Sequence, residues 1–346
     1  MKTSESHEPS CPVPFSAYER VTLAHGGGGR VMHRLIEGLF RRAFASPELD
    51  LAHDGARVAL DGPLVLTTDA FTVSPRFFPG GDIGSLAVHG TVNDLAVSGA
   101  RPRYLTASFV LEEGLPLAEL ARLVESMAAA ARASGVRVVA GDTKVVERGK
   151  GDGVFITTTG AGEAIGEVGP WRVRPGDVVI VSGPVGDHGT AVMLAREGLE
   201  VPDGLVSDAQ DVSPATCALF GAGLDVRCLR DATRGGVATV LAEIAQAAGV
   251  GVRVEGTIPV RPEVDDACEL LGLDPLYVAC EGRFVAFVGA ADAERALEVL
   301  RGVDVSREAA RVGAVVDGEG SVVLVHPYGS ERVLDVLSGE QLPRIC

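Results

Sequence analysis

The chain has 346 residues, 46% of them apolar and 23% charged; that much Val, Leu and Ala excludes disorder over most of its length, and about 150 residues per domain predicts two domains. Its 31 basic and 47 acidic side chains leave a net charge of −16, which argues against a nucleic-acid binder, since such a protein needs a basic surface to displace phosphate counterions. A nucleotide substrate stays open, because carboxylates can hold Mg²⁺ against phosphates. No apolar run reaches the ~18 residues of a membrane span, and Met1–Arg20 is too polar and proline-broken for a signal peptide. A cytoplasmic location away from membranes is expected.

Residues 1–17 lack periodicity and read as a flexible arm. Val31, Leu35 and Leu39, with Ile36 and Phe40, share one helical face over Val31–Phe40. Runs rich in Val, Leu, Ile and Thr predict strands at Leu64–Thr68, Tyr104–Val110, Val136–Ala140 and Val154–Thr159, with helices over Asp82–Ser98 and Pro116–Ser134. The Pro- and Gly-dense stretch Gly166–Gly176 marks a boundary, which divides the chain into domains over 18–168 and 169–338. Beyond it, strands are predicted at Val178–Val181, Arg227–Leu229, Val252–Val254, Phe284–Val288, Ala310–Val316 and Val322–Val325. Helices are predicted at His188–Arg196, Pro214–Gly221, Gly235–Ala248, Pro262–Leu271 and Ala291–Leu300. Loosely alternating strands and helices in both halves indicate α/β and α+β architecture. Residues 339–346 read as an extended, mobile tail.

Several residues have the types and settings that chemistry needs. Gly26, Gly27, Gly28 and Gly29 precede the first helix, where bare backbone N–H groups and the helix terminus suit a phosphate; a hinge explains them as well. Asp69 ends a predicted strand, Asp142 follows another, and Asp94 lies in Gly90-Thr-Val-Asn-Asp94 within a predicted helix. Each alone can cap a turn, but together they suggest oxygen ligands for a hard cation. Lys144 adds a cation beside Asp142 and Thr143. Asp231-Ala-Thr-Arg-Gly-Gly236 precedes a helix, and Glu281 sits where burial could raise a carboxyl into the range of a general base. The cysteines, at 11, 217, 228, 268, 280 and 346, show no C-x-x-C pair, so no zinc site is expected and the middle four read as small buried apolar residues. Cys346 stands apart as the last residue.

Taken together, Gly26–Gly29, Thr67-Thr-Asp69, Gly80-Gly-Asp-Ile-Gly84, Gly90-Thr-Val-Asn-Asp94, Gly141-Asp-Thr-Lys144, Gly186-Asp-His-Gly189, Asp231-Ala-Thr-Arg-Gly-Gly236 and Pro343-Arg-Ile-Cys346 resemble the HypE family of hydrogenase maturation factors. The resemblance runs from about residue 18 to the last residue. Its Asp- and Gly-rich parts are shared with the wider superfamily of aminoimidazole ribonucleotide synthetase, selenophosphate synthetase and thiamine monophosphate kinase; the Pro-Arg-Ile-Cys ending points to HypE.

The resemblance implies an N-terminal α/β domain that contributes to a dimer-interface barrel in a homodimer, a C-terminal α+β domain, and ATP held between them. It implies that a HypF-like carbamoyltransferase loads the Cys346 sulfur, that ATP-dependent dehydration turns the carbamoyl group into a thiocyanate, and that the cyanide passes to a HypC–HypD-like iron scaffold. In that scheme Asp69, Asp94 and Asp142 hold Mg²⁺, Gly26–Gly29 and Thr143 meet the nucleotide, Lys144 serves the dehydration, and Glu281 takes a proton from nitrogen. Arg344 would slightly favour the Cys346 thiolate. The family pattern has Asn where this chain has Cys280, which leaves the orientation of Glu281 without an amide. Two other readings remain: a small-molecule phosphotransferase such as a selenophosphate synthetase, with Cys11 in its arm, and a non-catalytic carrier of a group on Cys346.

Overall fold

The computed structural model describes residues 18–346, apart from 52, 54, 327, 338, 340 and 341. The expected arm, residues 1–17 with Cys11, lies outside the described residues. In the first half, β1 (Leu64–Phe71), β2 (Ala100–Glu112), β3 (Arg137–Val146) and β4 (Val154–Ala164) form a four-stranded sheet in the order β1-β4-β2-β3. Only β2 and β3 pair in parallel. Helices α2 (Ile83–Val97) and α3 (Leu117–Ala133) follow α1 (Arg30–Leu35), which continues through a π-helical stretch, Ile36–Arg41.

The alternation of side chains along strands gives this sheet two unlike faces. Asp69, Thr158, Ala107 and Gly141 are cross-strand partners on one face; Ala70, Thr157, Ser108 and Asp142 are partners on the other. The first face packs on α2 and α3 through Phe71, Leu105, Phe109, Ile156, Leu86 and Leu120. The second exposes Leu64 and Leu66, which keep 54% and 62% of their surface in water. The α2 helix is capped by Asp82, whose Oδ1 accepts from the Gly84 and Ser85 amides at 2.8 and 3.0 Å. It is apolar all round because it is covered all round: Leu86, Val88 and Val92 pack under the sheet, while Ala96 and Val97 join the core of the second half.

The second half is built on a seven-stranded sheet. Its strands are β5 (Val178–Val181), β6 (Val226–Asp231), β7 (Gly251–Val254), β8 (Phe284–Val288), β9 (Ala310–Val316), β10 (Val322–Val325) and β11 (Glu331–Leu334), in the order β11-β10-β7-β9-β5-β8-β6. Every pair is antiparallel except β10 with β7. The β5 and β8 strands are buried along their whole length, and alternate residues feed two cores: Val179, Val181 and Phe287 on one side, Ile180, Phe284 and Ala286 on the other. Helices α4 (Asp187–Glu197), α5 (Ser213–Gly221), α6 (Gly236–Ala248), α7 (Pro262–Leu271) and α8 (Ala293–Arg301) surround the sheet. Among the described residues, no helix is long and apolar enough to cross a membrane.

The structure departs from the sequence-based expectation at three places. The β3 strand continues through Gly141 and Asp142 to Val146 instead of turning at them, because β2 runs alongside and supplies partners as far as Glu112. The β11 strand was not expected; its Glu-Arg-Val-Leu run is an edge strand whose first three residues are exposed and so lacks an apolar pattern. Residues 342–346 fold back onto the first half, where the Thr72 and Ser74 amides donate to the Cys346 and Arg344 carbonyls at 2.9 and 3.2 Å.

Candidate active site

Four acidic side chains from four elements face one another where the two halves meet. Asp69 comes from β1, Asp94 from the last turn of α2, Asp231 from the end of β6, and Glu281 from the turn before β8. Asp94 Oδ2 accepts from Thr67 Oγ1 at 2.8 Å, and Asp69 Oδ1 accepts from the Ala70 amide at 2.7 Å. Burial raises all four above the ordinary carboxylate range, and for Asp94, Asp231 and Glu281 the neighbouring carboxylates raise them further. The nearby cations, Arg230 and Arg234, pull the other way.

Glu281 is fixed by its backbone. Its amide donates to Asp208 Oδ1 at 3.0 Å and its carbonyl accepts from Asn93 Nδ2 at 2.8 Å, while Oε1 is buried with no partner among the described residues. Cys280 does not orient it. The Cys280 sulfur points to the start of α4, accepting from the Gly186 amide at 3.2 Å; the amide that does reach Glu281 belongs to Asn93, in the Gly90–Asp94 motif.

Cys346 is brought to this cluster. Its thiol is pushed up to about 12, first by burial and then by the Glu281 charge, against the Arg234 guanidinium beside it. Arg344 does not act on the sulfur as expected: its guanidinium turns outward to Asp152 Oδ2 at 2.6 Å and the Thr72 carbonyl at 3.0 Å. Beside the tail lies a cleft of 260 Å³, with Arg234, Gly235, Thr239, Leu342 and Ile345 among its lining.

A second group gathers elsewhere. Lys144 Nζ holds both Asp142 oxygens at 2.7 and 2.6 Å, and this ion pair keeps Asp142 below the usual carboxylate range. Gly26 lies against the next residue, Val145: a Cβ on it would stand 2.7 Å from the Val145 nitrogen. The Gly27–Gly29 loop that follows is exposed. Thr143 points inward, buried, and lines a partly open pocket of 110 Å³ with Asp142, Met32, Phe40 and Phe109.

This placement corrects the expectation that three aspartates meet within one chain. Asp69 and Asp94 do come together. Asp142 lies three strands away from β1, about 14 Å at the usual spacing, and on the opposite face of the sheet; Lys144 lies there with it. Among the described residues, no three His, Cys, Asp or Glu side chains are arranged to hold a metal ion. Asp231, Arg234, Asn93 and Asp208 were not among the expected site residues. The run Asp231-Ala-Thr-Arg-Gly-Gly236 did carry a signal, since a helix cap accounts for the aspartate but not for an arginine before two glycines.

Two family models match this chain: AIR synthase related protein, N-terminal domain, over residues 52–164, and AIR synthase related protein, C-terminal domain, over residues 174–326. Fold and site thus define an AIR synthase related protein of two domains. Carbamoyl dehydratase HypE from Azotobacter vinelandii is 54% identical over 335 residues, 94% of this chain and 97% of that protein. The crystal structure of hydrogenase maturation protein HypE in complex with ATP matches with a TM-score of 0.91 at 47% identity, over 94% of this chain and 99% of that one. The chain in the crystal structure of the HypE–HypF complex matches with a TM-score of 0.77 at 44% identity, over 88% and 99%. The chain belongs to the HypE family.

Proposed function

We propose that this chain is an ATP-dependent carbamoyl dehydratase of NiFe-hydrogenase maturation, whose substrate is the S-carbamoyl group of its own Cys346. The observation that carries this reading is the placement of Cys346: the chain delivers its own last sulfur to Arg234 and to a buried carboxyl, Glu281, with an unpartnered oxygen. In the reaction the carbamoyl oxygen attacks the γ-phosphorus of ATP and ADP leaves, as one proton departs from nitrogen. The resulting S–C(=NH)–O–phosphate loses its second N–H proton and then phosphate, leaving S–C≡N. Burial makes Glu281 a stronger base than an exposed carboxylate, and Arg234 offsets negative charge at the sulfur and the departing phosphate.

Mg²⁺ suits the oxygens of Asp69 and Asp94, because that ion takes one or two carboxylates and completes its shell with phosphates and water; bound there it would neutralise phosphate charge during transfer. We assign Asp142, Lys144 and Gly26–Gly29 to the nucleotide site of a homodimer, completed across the second face of the four-stranded sheet, and leave out Thr143, which is turned to the buried first face. Support comes from the exposed Leu64 and Leu66 on that face and from Asp142 and Lys144 being out of reach of Asp69 in their own chain. Two such sheets facing each other form the interface barrel.

The tail must also leave the site. Burial and the Glu281 charge push the docked Cys346 thiol up, which disfavours the thiolate that attacks; in this reading Cys346 is loaded undocked, on a HypF-like carbamoyltransferase, and returns for dehydration, and the cyanide then goes to a HypC–HypD-like scaffold. The proposed domains, 18–168 and 169–338, divide between the two matched segments, and the tail is 339–346. A phosphotransferase for a free small molecule is less favoured, because the tail fills the position such a substrate would take. The test is phosphate release from MgATP with carbamoyl phosphate and carbamoyltransferase present. The parent chain should release phosphate in step with loading and Cys346→Ala should not; equal release by both would contradict the proposal.

A further inference from the structure

The tail is held by its main chain, carbonyl by carbonyl. Arg196, near the end of α4, donates from Nη1 to the Pro343 carbonyl at 2.8 Å and from Nη2 to the Arg344 carbonyl at 2.7 Å, while its Nε donates to the Ser74 carbonyl at 2.7 Å. Two turns earlier, buried His188 donates from Nε2 to the Ile345 carbonyl at 2.9 Å and accepts from Ser207 Oγ at Nδ1, 2.8 Å away. Thr72 supplies the Cys346 carbonyl with its amide at 2.9 Å and its hydroxyl at 3.2 Å. The carbonyls of residues 343 to 345 and a main-chain oxygen of Cys346 are thus all engaged.

The tail's shape is fitted to these donors. Arg344 adopts φ +53°, a left-handed conformation that costs an L-residue about 1–2 kcal/mol, and this turn separates the buried Ile345 from the exposed Pro343. Leu342 packs at Gly189, where a Cβ would come within 3.2 Å of its Cδ1. The Gly186–Gly189 motif therefore has a use apart from the nucleotide: it builds the seat of the tail. None of these main-chain hydrogen bonds reaches the Cys346 sulfur, so they set the same register whether the sulfur carries a proton, a carbamoyl group or a cyano group.

We infer that Arg196, with His188 and Thr72, is a latch that reads the tail's main chain and sets the fraction of time Cys346 spends beside Glu281. Arg196 is the positioning residue that a carbamoyl group on Cys346 depends on, a role that rests on the dehydratase reading; the latch itself does not. Its planar fork spans two successive carbonyls, which a lysine ammonium cannot do in the same way.

The test uses the full chain and iodoacetamide, with labelling of each cysteine followed by peptide mass. Arg196→Met should speed labelling of Cys346 about 10²- to 10⁴-fold, from the loss of two hydrogen bonds to a charged donor, and Arg196→Lys should fall between it and the parent. Cys228, Cys268 and Cys280 are buried and should stay unlabelled, which separates undocking from unfolding. If Arg196→Met labels them too, the milder Arg196→Lys decides. Parent-rate labelling of Cys346 in a folded variant would overturn the latch. No carbamoyl donor is used, so the latch can fail while dehydration of loaded Cys346, followed by intact mass, still stands.

Discussion

At the scale of single residues, the site is a set of carboxyls whose ionisation is made harder by burial and, for Asp94, Asp231 and Glu281, by one another. Glu281→Gln preserves shape and removes the proposed base, so the loaded chain should bind ATP as before while dehydration slows about 10²- to 10⁴-fold, the usual worth of a positioned base; single-turnover mass spectrometry reads this, and parent-like turnover would remove Glu281 from the mechanism. Asp231 gives a pH signature. Its native-state value is raised, by burial first and then by Asp94, so the native state holds a proton that the unfolded chain releases at the ordinary value. That contribution to stability is present at low pH and is lost as pH rises through the ordinary value towards the raised one. In metal-free buffer, Asp231→Asn should therefore unfold at higher denaturant than the parent at pH 8, with the gain vanishing towards pH 4; an equal gain at both would refute the assignment. Asp69, Asp94 and Glu281 were expected from the glycines and threonines near them and do come together, although Asp69 lies within a regular strand and Asp94 within a regular helix. Arg196 could not, since an arginine in the last turn of a helix has a sufficient explanation in the helix dipole.

At the scale of elements, α2 joins the two halves and carries a buried polar contact between them. Asn93 donates to the Gln210 and Glu281 carbonyls at 3.0 and 2.8 Å and accepts from the Val212 amide at 2.9 Å. Asn93→Ala leaves those buried groups unpaired and should lower stability by about 2–4 kcal/mol and slow dehydration more than it weakens ATP binding. Denaturant unfolding with parallel ATP titration checks this; a loss confined to ATP affinity would contradict it. The elements themselves were largely legible: α2, α3, α7, β5 and β8 lie where apolar runs and their stops put them. What could not be read was the fate of Gly141-Asp142. A glycine after a Val-rich run looks like a turn, but pairing with β2 keeps the backbone extended, and the period of two then sends Asp142 to the face away from Asp69.

At the scale of the whole molecule, the proposed nucleotide site takes Asp142 from one chain and Asp69 from its partner. Mixed dimers decide it. Glu281→Gln and Asp142→Asn chains, each inactive alone, should recover about a quarter of parent activity when dissociated and reassembled, because half of the dimers gain one intact site; no recovery would confine each site to one chain. The reach of the tail could not be read from its sequence, since Pro, Arg and Ile at an end look mobile until the donors on α4 and after β1 are seen. The central claim is that the chain modifies its own last residue. Its most direct test is the mass of the C-terminal peptide after incubation with carbamoyl phosphate, the carbamoyltransferase partner and ATP. With hydrolysable MgATP, the carbamoyl adduct on Cys346 should lose one water and become the thiocyanate, and with a non-hydrolysable analogue it should persist. A terminal peptide that stays unmodified while the partner is demonstrably active would contradict the account.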